Sequence, residues 1–151
     1  MPLTVERVRQ LFSYDSKYGI LVRMEYGDTI DGPQVTIDGH AYPTANVVWL
    51  HHYGVSPSKI LDHKNRRRRD ISIHNLREAS YNQNGYNQWK YNPNGLKGVY
   101  NCGRKIKPWQ AQIRINGKKV NLGRFETKEE AHAAYRKAAK EHFGEFAYYD
   151  C

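Results

Sequence analysis

A stretch of 16 residues near the middle of the chain, SYNQNGYNQWKYNPNG at residues 80–95, contains no aliphatic side chain. Asn, Gly and Tyr dominate it, a composition typical of a linker or of a loop lying on a partner. A chain of 151 residues can form one ordinary domain or two small ones. The stretch therefore predicts two small domains, at residues 1–79 and 95–151, with a linker at residues 80–94.

The positive charge of the chain is unevenly distributed. Residues 1–80 carry 11 Lys and Arg against 9 Asp and Glu, whereas residues 81–151 carry 13 against 6. The net charge of +9 predicts a polyanionic partner, and binding to a nucleic acid should weaken steeply with salt. The second half of the chain is the better candidate for general contact with a phosphate backbone.

The sequence lacks the marks of a membrane or secreted protein. No apolar run approaches the length of a membrane span, and MPLTVERVRQ at the start lacks a signal-peptide core. Its two cysteines, Cys102 and Cys151, cannot form a CxxC metal knuckle and favour a reduced, cytoplasmic setting. We expect neither membrane contact nor a small-molecule cofactor.

Hydrophobic spacing in the first half predicts two short helices and several strands. TVERVRQLF has helical spacing behind a possible N-cap at Thr4, and YDSKYGILVRM reads as a turn followed by a strand. PQVTIDGHAY predicts a hairpin with its turn at Asp38 and Gly39. TANVVWLHHYG predicts a second helix, closed by Gly54.

The second half predicts a small sheet packed on one helix. WQAQIRI alternates strictly, with Trp109, Ala111, Ile113 and Ile115 on one face. NGK predicts a hairpin turn, and KVNLGRF continues with Val120 and Leu122 facing inward. In TKEEAHAAYRKAAKEHFG, Thr127 and Glu130 predict a capping box at the start of a strong helix, which Gly144 ends. The fold class is therefore α+β.

Four consecutive arginines, Arg66, Arg67, Arg68 and Arg69, lie between an Asp-His pair and a His-Asn pair in LDHKNRRRRDISIHNLREAS. If Asp62 and His63 end a strand and ISIHNLRE begins a helix, Asp62 and Asn75 could face each other. Carboxylate and amide oxygens suit Mg²⁺ or Mn²⁺, and a neutral His63 could take a proton from an attacking water. With the arginines on the flanking phosphates, these are the parts of metal-assisted phosphodiester hydrolysis. The plainer alternative is a turn with a surface histidine.

The segment GVSPSKILDHKNRRRRDISIHNLREAS resembles the HNH endonucleases of the phage homing type. The similarity extends upstream through LFSYDSKYGILVRM and VVWLHHYG and covers most of residues 5–80. The resemblance implies a ββα-metal (His-Me finger) fold with one divalent metal, in the cytoplasm of an infected bacterial host. It also implies that His63 is the general base, that Asp62 and Asn75 are metal ligands, and that Arg77 is a phosphate or packing contact.

Two positions depart from that family's pattern. Ile71 stands where the central Asn of HNH usually braces the loop by hydrogen bonds, and Ala45-Asn46 stands where His-Arg is frequent. These departures leave open a DNA-binding protein or regulator with an impaired or inactive site.

Residues 95–147 resemble the Apetala-two/ethylene-response-factor DNA-binding domain, through KGVY, WQAQIR, LGRFETKEEAHAAY and GEFA. The resemblance implies a three-stranded antiparallel sheet packed on one helix, with the outer face in the major groove of double-stranded DNA. Four residues would lie on that face, namely Gln112, Arg114, Lys119 and Asn121. Four more near the first hairpin suit phosphates, namely Lys97, Arg104, Lys105 and Lys107. Departures at Tyr100, Gln112 and Asn121 mean that the family's target sequence does not carry over.

The combined interpretation is a site-directed DNA endonuclease whose first domain cuts and whose second domain positions it. One active site per chain predicts a monomer or weak dimer that nicks one strand. The rivals are a DNA-binding protein without cleavage and an RNA-binding accessory protein, which would prefer single strands over duplex.

Overall fold

The computed structural model describes residues 3–88 and 91–149, which divide into two compact units between Tyr81 and Asn82. The elements of the first unit, in chain order, are α1 Val5–Leu11, β1 Phe12–Asp15, β2 Ile20–Arg23, β3 Thr29–Ile30, β4 Gln34–Ile37, β5 His40–Pro43, α2 Thr44–Tyr53, β6 Ile60–His63, a 3₁₀ turn Ile73–Asn75 and β7 Leu76–Ala79. Helix α3, Tyr81–Tyr86, begins at the division. The elements that follow are β8 Val99–Asn101, β9 Trp109–Ile115, β10 Lys118–Phe125, α4 Lys128–Phe143 and a 3₁₀ turn Gly144–Phe146.

Local sequence signals set the boundaries of the first unit's elements. The Thr4 hydroxyl accepts the Arg7 N–H at the start of α1, as an N-cap should. Asp38 and Gly39, both with positive φ, form the tight turn between β4 and β5. Gly54 ends α2 in the left-handed conformation that glycine adopts without steric cost. These three sequence predictions are confirmed.

The core of the first unit joins its two helices to its hairpins. Buried apolar side chains come from α1, from strands β1, β2 and β4, from α2, and from the segment that precedes β7. The most deeply buried are Val8, Phe12, Leu21, Val47 and Val48. Because Ile71 and Ile73 belong to the same core, the chain entering β7 is fixed by apolar packing.

The segment ISIHNLRE forms a strand where the sequence predicted the start of a helix. Only Ile73–Asn75 make one 3₁₀ turn, after which β7 pairs antiparallel with β6. The register sets Asp62 opposite Arg77 and His63 opposite Leu76. Asp62 and His63 therefore do end a strand, as predicted, but the element that faces them is strand β7 of a hairpin and not a helix.

In the second unit, β8, β9 and β10 form an antiparallel sheet with β9 in the centre, and α4 packs on it. The predicted capping box is present at Thr127 and Glu130. The predicted alternation of β9 also holds, since Ala111 and Ile113 are buried and Arg114 is exposed. The sheet and the helix thus enclose a small core of their own.

Gly98 allows the sheet and helix to approach closely. It has a positive φ of 76°. A Cβ built there would lie 2.1 Å from the Tyr135 ring, so no larger residue fits without displacing α4.

Strand β10 carries a bulge between Asn121 and Gly123, and Leu122 packs into the core at that point. Val120, predicted to face inward, lies opposite Ile113 but remains 37 % exposed.

The predicted linker at residues 80–94 contains regular structure. Helix α3 occupies Tyr81–Tyr86, the Tyr86 ring stacks on Phe143 at 3.8 Å, and Asn87 is buried. Aromatic and amide groups supply the packing that aliphatic side chains usually give, and a rule based on aliphatic content overlooks them. Within the described residues, no helix has both the length and the apolar character needed to cross a membrane.

Candidate functional site

Asp62 is a buried carboxylate held by an arginine on the neighbouring strand. It is 4 % exposed. The Nε of Arg77 donates to Asp62 Oδ2 at 2.8 Å, and a terminal guanidinium nitrogen lies 2.8 Å from the same oxygen. Direct pairing of the two residues across β6 and β7 sets this geometry. Of the two roles predicted for Arg77, a phosphate or a packing contact, this ion pair is a contact inside the fold, and its position in the strand register explains it.

His63 is the next residue on β6 and is half-buried. Burial lowers the pKa of its imidazole, the Asp62 carboxylate opposes that shift, and the positive charge of Arg68 lowers the pKa further. The net direction is downward, so the neutral imidazole prevails at neutral pH. A neutral imidazole can accept a proton, as the predicted general base must.

The arginine loop, residues 64–72, is braced by amide and carboxylate side chains. The backbone N–H of Asn65 donates to Asn75 Oδ1 at 2.9 Å, and Asn65 Nδ2 donates to Asp70 Oδ2 at 2.6 Å. Asn65 Oδ1 accepts the N–H of Arg67, and the opposite oxygen of Asp70 accepts from the Ser72 N–H and hydroxyl. These bonds close the loop on itself and fix its path next to His63.

Asn75 is part of this brace. It is buried, its Oδ1 accepts from Asn65, and its Nδ2 donates to the carbonyl of Asp70 at 2.8 Å. Its own carbonyl accepts the N–H of Lys64, the residue after His63. The structure therefore brings Asn75 beside the Asp-His pair, but both of its amide atoms already bond within the loop. The sequence-based assignment of Asn75 as a metal ligand did not foresee these bonds.

Ile71, at the position of the family's bracing Asn, contributes to the core instead. It is 5 % exposed, and its carbonyl accepts the Tyr14 hydroxyl at 2.9 Å. The same hydroxyl accepts the N–H of Ile73 at 2.9 Å. Gly19 lies so close to Ser72 that an added Cβ would be 2.7 Å from its backbone nitrogen. The β1–β2 hairpin thus packs against the end of the arginine loop through Tyr14 and Gly19, to which the sequence assigned no role at the site.

The four arginines of the loop are all exposed. Arg66 adopts a positive φ of 63°, and the N–H of Asp70 bonds to the carbonyl of Arg67. The run therefore curves through a compact turn and presents several guanidinium groups to solvent beside His63. Guanidinium groups bind phosphate oxygens in pairs, which suits them to a nucleic-acid backbone.

The donors near His63 fit a sparsely coordinated divalent cation. Among residues 3–88 and 91–149, no cluster of three or more His, Cys, Asp or Glu side chains could hold a metal ion. Mg²⁺ at phosphate-processing sites retains several waters and takes only one or two carboxylates, with the remaining ligands from substrate phosphates. Asp62, a buried carboxylate beside a basic loop, is of the ligand type that such a cation takes.

Residues 42–86 match the protein-family model described as HNH endonuclease. This part of the chain is therefore similar to HNH endonuclease domains. The matched segment includes the Asp62–His63 pair, the arginine loop and the brace, and it supports a nuclease that acts on DNA. No curated protein and no solved structure matches the chain.

The outer face of the C-terminal sheet forms a second candidate site. Gln112 pairs with Asn121 and Arg114 pairs with Lys119, so the four residues predicted for this face do share it. Arg114 and Lys119 are exposed. The Oδ1 of Asn121 accepts the Gly123 N–H at 3.0 Å, so its oxygen stabilises the bulge. Within the three described strands no residue is Asp or Glu, and the face is therefore uniformly cationic and amide-bearing.

A third row of side chains on this face escaped the sequence analysis. Gln110 lies between Tyr100 on β8 and Arg124 on β10. Strict alternation would point Arg124 inward, but the bulge at Asn121 and Gly123 shifts the register by one residue and turns it outward. The signal in the sequence was Gly123, since a glycine inside a strand often marks a bulge.

One of the four predicted phosphate contacts of the second unit is buried. Lys97 is 8 % exposed, and its Nζ donates to the carbonyls of Tyr86 and Gln88 at 3.1 Å each. The ammonium also lies 5.1 Å from the centre of the Tyr148 ring. Lys97 therefore stabilises the fold, and its assignment to DNA contact is corrected. Arg104, Lys105 and Lys107 are exposed on the β8–β9 loop, residues 102–108.

Proposed function

We propose that the chain is a metal-dependent DNA endonuclease in which the HNH domain cuts and the C-terminal sheet binds the duplex. The observation that carries the proposal is the rigid Asp62–His63 pair at the mouth of the braced, cationic arginine loop. The match of residues 42–86 to HNH endonucleases supports the same chemistry. The antiparallel pairing of β6 with β7 supports the two strands of a ββα-metal arrangement.

His63 acts as the general base in this proposal. Its neutral imidazole takes a proton from a water molecule as the water oxygen forms a bond to phosphorus. The bond from phosphorus to one ester oxygen breaks with its electron pair on that oxygen, which takes a proton from solvent water, and the strand ends as a phosphate and a hydroxyl. The loop arginines bind the phosphates on either side of the scissile bond and orient it for in-line attack.

Asp62 would hold a divalent cation, Mg²⁺ or Mn²⁺, and Arg77 keeps the carboxylate in place. When bound, such a cation neutralises charge on the phosphate and on the departing oxygen. We assign Asn75 to positioning: its amide fixes Asn65 and the carbonyl of Asp70, and through them the loop.

The C-terminal sheet would supply duplex affinity and selectivity. A ribbon of antiparallel strands fits the major groove, where arginine reads guanine and glutamine reads adenine. Arg114, Arg124 and Lys119 supply positive charge, while Gln110 and Gln112 supply amides between them. The antiparallel three-stranded sheet packed on α4 is what supports the Apetala-two/ethylene-response-factor resemblance, and the cationic, amide-bearing face supports site-directed cutting.

Nicking of supercoiled plasmid carrying random inserts tests the proposal. The wild type should nick with Mg²⁺ or Mn²⁺ and should not nick in chelator. His63→Ala should abolish nicking with little change in DNA affinity. His74→Ala is the matched control, because His74 is an exposed histidine in the same segment and should be dispensable.

Three other outcomes would change the assignment. Tight, salt-sensitive binding without nicking on any insert would indicate a DNA-binding protein with an inactive HNH site. A large loss of affinity in His63→Ala would mean that His63 is structural. A preference for single strands over duplex in competition would instead favour the RNA-binding alternative.

A further inference from the structure

The β8–β9 loop ends in an apolar side chain that the fold leaves in solvent. Ile106 is 78 % exposed, whereas the other isoleucines of this unit, Ile113 and Ile115, pack in the core beneath the sheet. Its neighbours Lys105 and Lys107 and the nearby Arg104 are all exposed. An exposed isoleucine surrounded by cations gains nothing for folding, because it is neither buried nor paired with apolar neighbours.

The loop that carries Ile106 has a defined path. Its two ends are joined by a bond from the Cys102 N–H to the Pro108 carbonyl at 2.8 Å. The Asn101 side chain accepts the Gly103 N–H, and Lys107 adopts a positive φ of 51°. These contacts hold Ile106 at the tip of a closed loop instead of a freely moving chain.

The loop is continuous with the proposed DNA-binding face. It connects Asn101 to Trp109. The third row of the outer face, Tyr100 with Gln110 and Arg124, lies one residue further into the sheet. A duplex seated on that face would meet the loop at its edge. Phosphates line both edges of each DNA groove, whereas the faces of the stacked bases between them are apolar.

We propose that Ile106 is a wedge that inserts partway between two base pairs, while the flanking cations bind the phosphates beside that step. This inference rests on the proposed binding of duplex DNA by the C-terminal unit. Apolar side chains of this size, isoleucine included, enter base steps of bent DNA in several classes of protein, and they unstack and untwist the duplex. The energetic gain is a bent duplex that contacts more of the protein surface.

A lipid surface is the other partner that an apolar residue among cations could suit. Membrane binding requires an extended apolar face or two anchoring signals, and Ile106 supplies a single small side chain. A single side chain is the usual size of a DNA wedge. The amides of Gln110 and Gln112 beside the loop also suit base edges better than lipid headgroups.

The test measures untwisting of closed-circular plasmid by the full chain in chelator, where the proposed cleavage cannot proceed. A topoisomerase that needs no metal relaxes the plasmid in the presence of the protein, and the linking number is read after the protein is removed. Filter retention on the same plasmid measures binding. The wild type should lower the linking number in proportion to the protein bound.

Three variants separate the wedge from general binding. Ile106→Ser should bind plasmid while losing the linking-number change, and Ile106→Leu should retain the change. Val55→Ser is the matched control, because Val55 is an exposed aliphatic residue, at 63 %, without a cation on either side. It should leave binding and untwisting unaltered. Since both wild-type side chains are exposed, both serine variants should fold, as circular dichroism would verify.

The remaining outcomes overturn either the wedge or the DNA-binding role. Plasmid binding by the wild type without a linking-number change would overturn the wedge and leave the proposed endonuclease intact. An equal loss of untwisting in Ile106→Ser and Val55→Ser would also overturn the wedge. Absence of plasmid binding even at low salt would overturn the DNA-binding role itself. Ile106-dependent binding to vesicles of anionic phospholipid, without untwisting of plasmid, would identify a membrane partner instead.

Discussion

The arginine loop and the β8–β9 loop are both basic connections between antiparallel strands, but they are held in different ways. In the arginine loop, the side chains of Asn65, Asp70 and Asn75 bond to one another and to the backbone, and Tyr14 fixes the exit. The β8–β9 loop is closed mainly by one backbone hydrogen bond at its ends. Side-chain hydrogen bonds therefore brace the first loop along its length, whereas the second is held mainly at its ends.

This difference follows from what each loop must do. A general base and a metal ligand have to lie within a fraction of an ångström of a productive position, which requires neighbours that lock them. A cation that binds a phosphate needs only to be accessible, since the contact is electrostatic and tolerates movement. We therefore expect substitutions around the first loop to change stability and nicking, and substitutions in the second to change DNA binding or untwisting while stability stays the same.

Arg77→Met should produce the largest effect. The substitution leaves the Asp62 carboxylate buried without its ion-pair partner, which costs about 3–5 kcal/mol of unfolding free energy. A loss of that size is a large share of the stability of a small domain. Urea denaturation measures this loss of unfolding free energy when hydrogen exchange in peptides from the first unit is used as the signal. Arg69→Met, an exposed arginine in the loop, should change stability by less than about 0.5 kcal/mol.

The double variant Asp62→Leu with Arg77→Met separates folding from chemistry. Replacing a buried ion pair by apolar residues of similar size is often neutral or stabilising, so the double variant should regain most of the lost stability. Nicking should remain absent, because the proposed metal ligand is gone. If nicking returned together with stability, Asp62 would have no role beyond the fold.

Asn75→Ala should have the next largest effect. It removes the acceptor of the Asn65 N–H and the donor to the Asp70 carbonyl, and each buried group left unsatisfied costs about 1–3 kcal/mol. We expect nicking to fall sharply while plasmid binding persists. The matched control is Asn46→Ala, an exposed asparagine on α2 whose loss should be neutral.

Asn75→Ala and a second variant, Asn75→Asp, together decide whether Asn75 positions the loop or binds the metal. Asn75→Asp keeps an oxygen that could bind a cation and loses the donor to Asp70. If Asn75 positions the loop, both variants should bind Mn²⁺ as the wild type does, as calorimetric titration would report. Loss of Mn²⁺ affinity in a folded Asn75→Ala protein would restore the ligand role that the sequence predicts.

Local patterns predicted much of the fold, because their causes are local. The Thr4 cap, the Asp38-Gly39 turn and the Thr127 capping box each depend on residues within four positions of one another. The strand β7 did not follow from such a pattern. Ile73 before the strand and Leu76 and Ala79 within it recur at helical spacing, and the pairing of β7 with β6, more than ten residues away, overrides that signal.

The chemistry of the site was predictable by residue type but not by partner. Asp62 and His63 stand out because an acidic residue and a histidine precede an arginine run, whereas nothing local indicates that Arg77 pairs with Asp62. Lys97 illustrates the converse. A lysine near a predicted hairpin suggests a phosphate contact, yet its ammonium donates to two backbone carbonyls about ten residues earlier in the chain. Long-range partners of this kind appear only once the chain is folded.

Substitution in the β8–β9 loop should have the smallest effect on the fold. Both Arg104 and Lys105 are exposed, so replacing them by alanine should change unfolding free energy by less than about 0.5 kcal/mol. Each phosphate contact that is lost releases one fewer condensed counterion, and the slope of log affinity against log salt should become shallower by about 0.9 per contact. Titration of a short duplex over a range of salt concentrations measures this slope.

A charge-matched control separates phosphate contacts of the β8–β9 loop from the effect of net charge. Lys137 and Lys140 are exposed on α4, and their replacement by alanine removes the same net charge from another element of the same unit. If the loop cations contact phosphates, the slope should change in the Arg104 and Lys105 variant and stay constant in the α4 variant. Equal slopes in the two variants would mean that the unit attracts DNA by net charge alone, and the β8–β9 loop would then be an ordinary solvated turn.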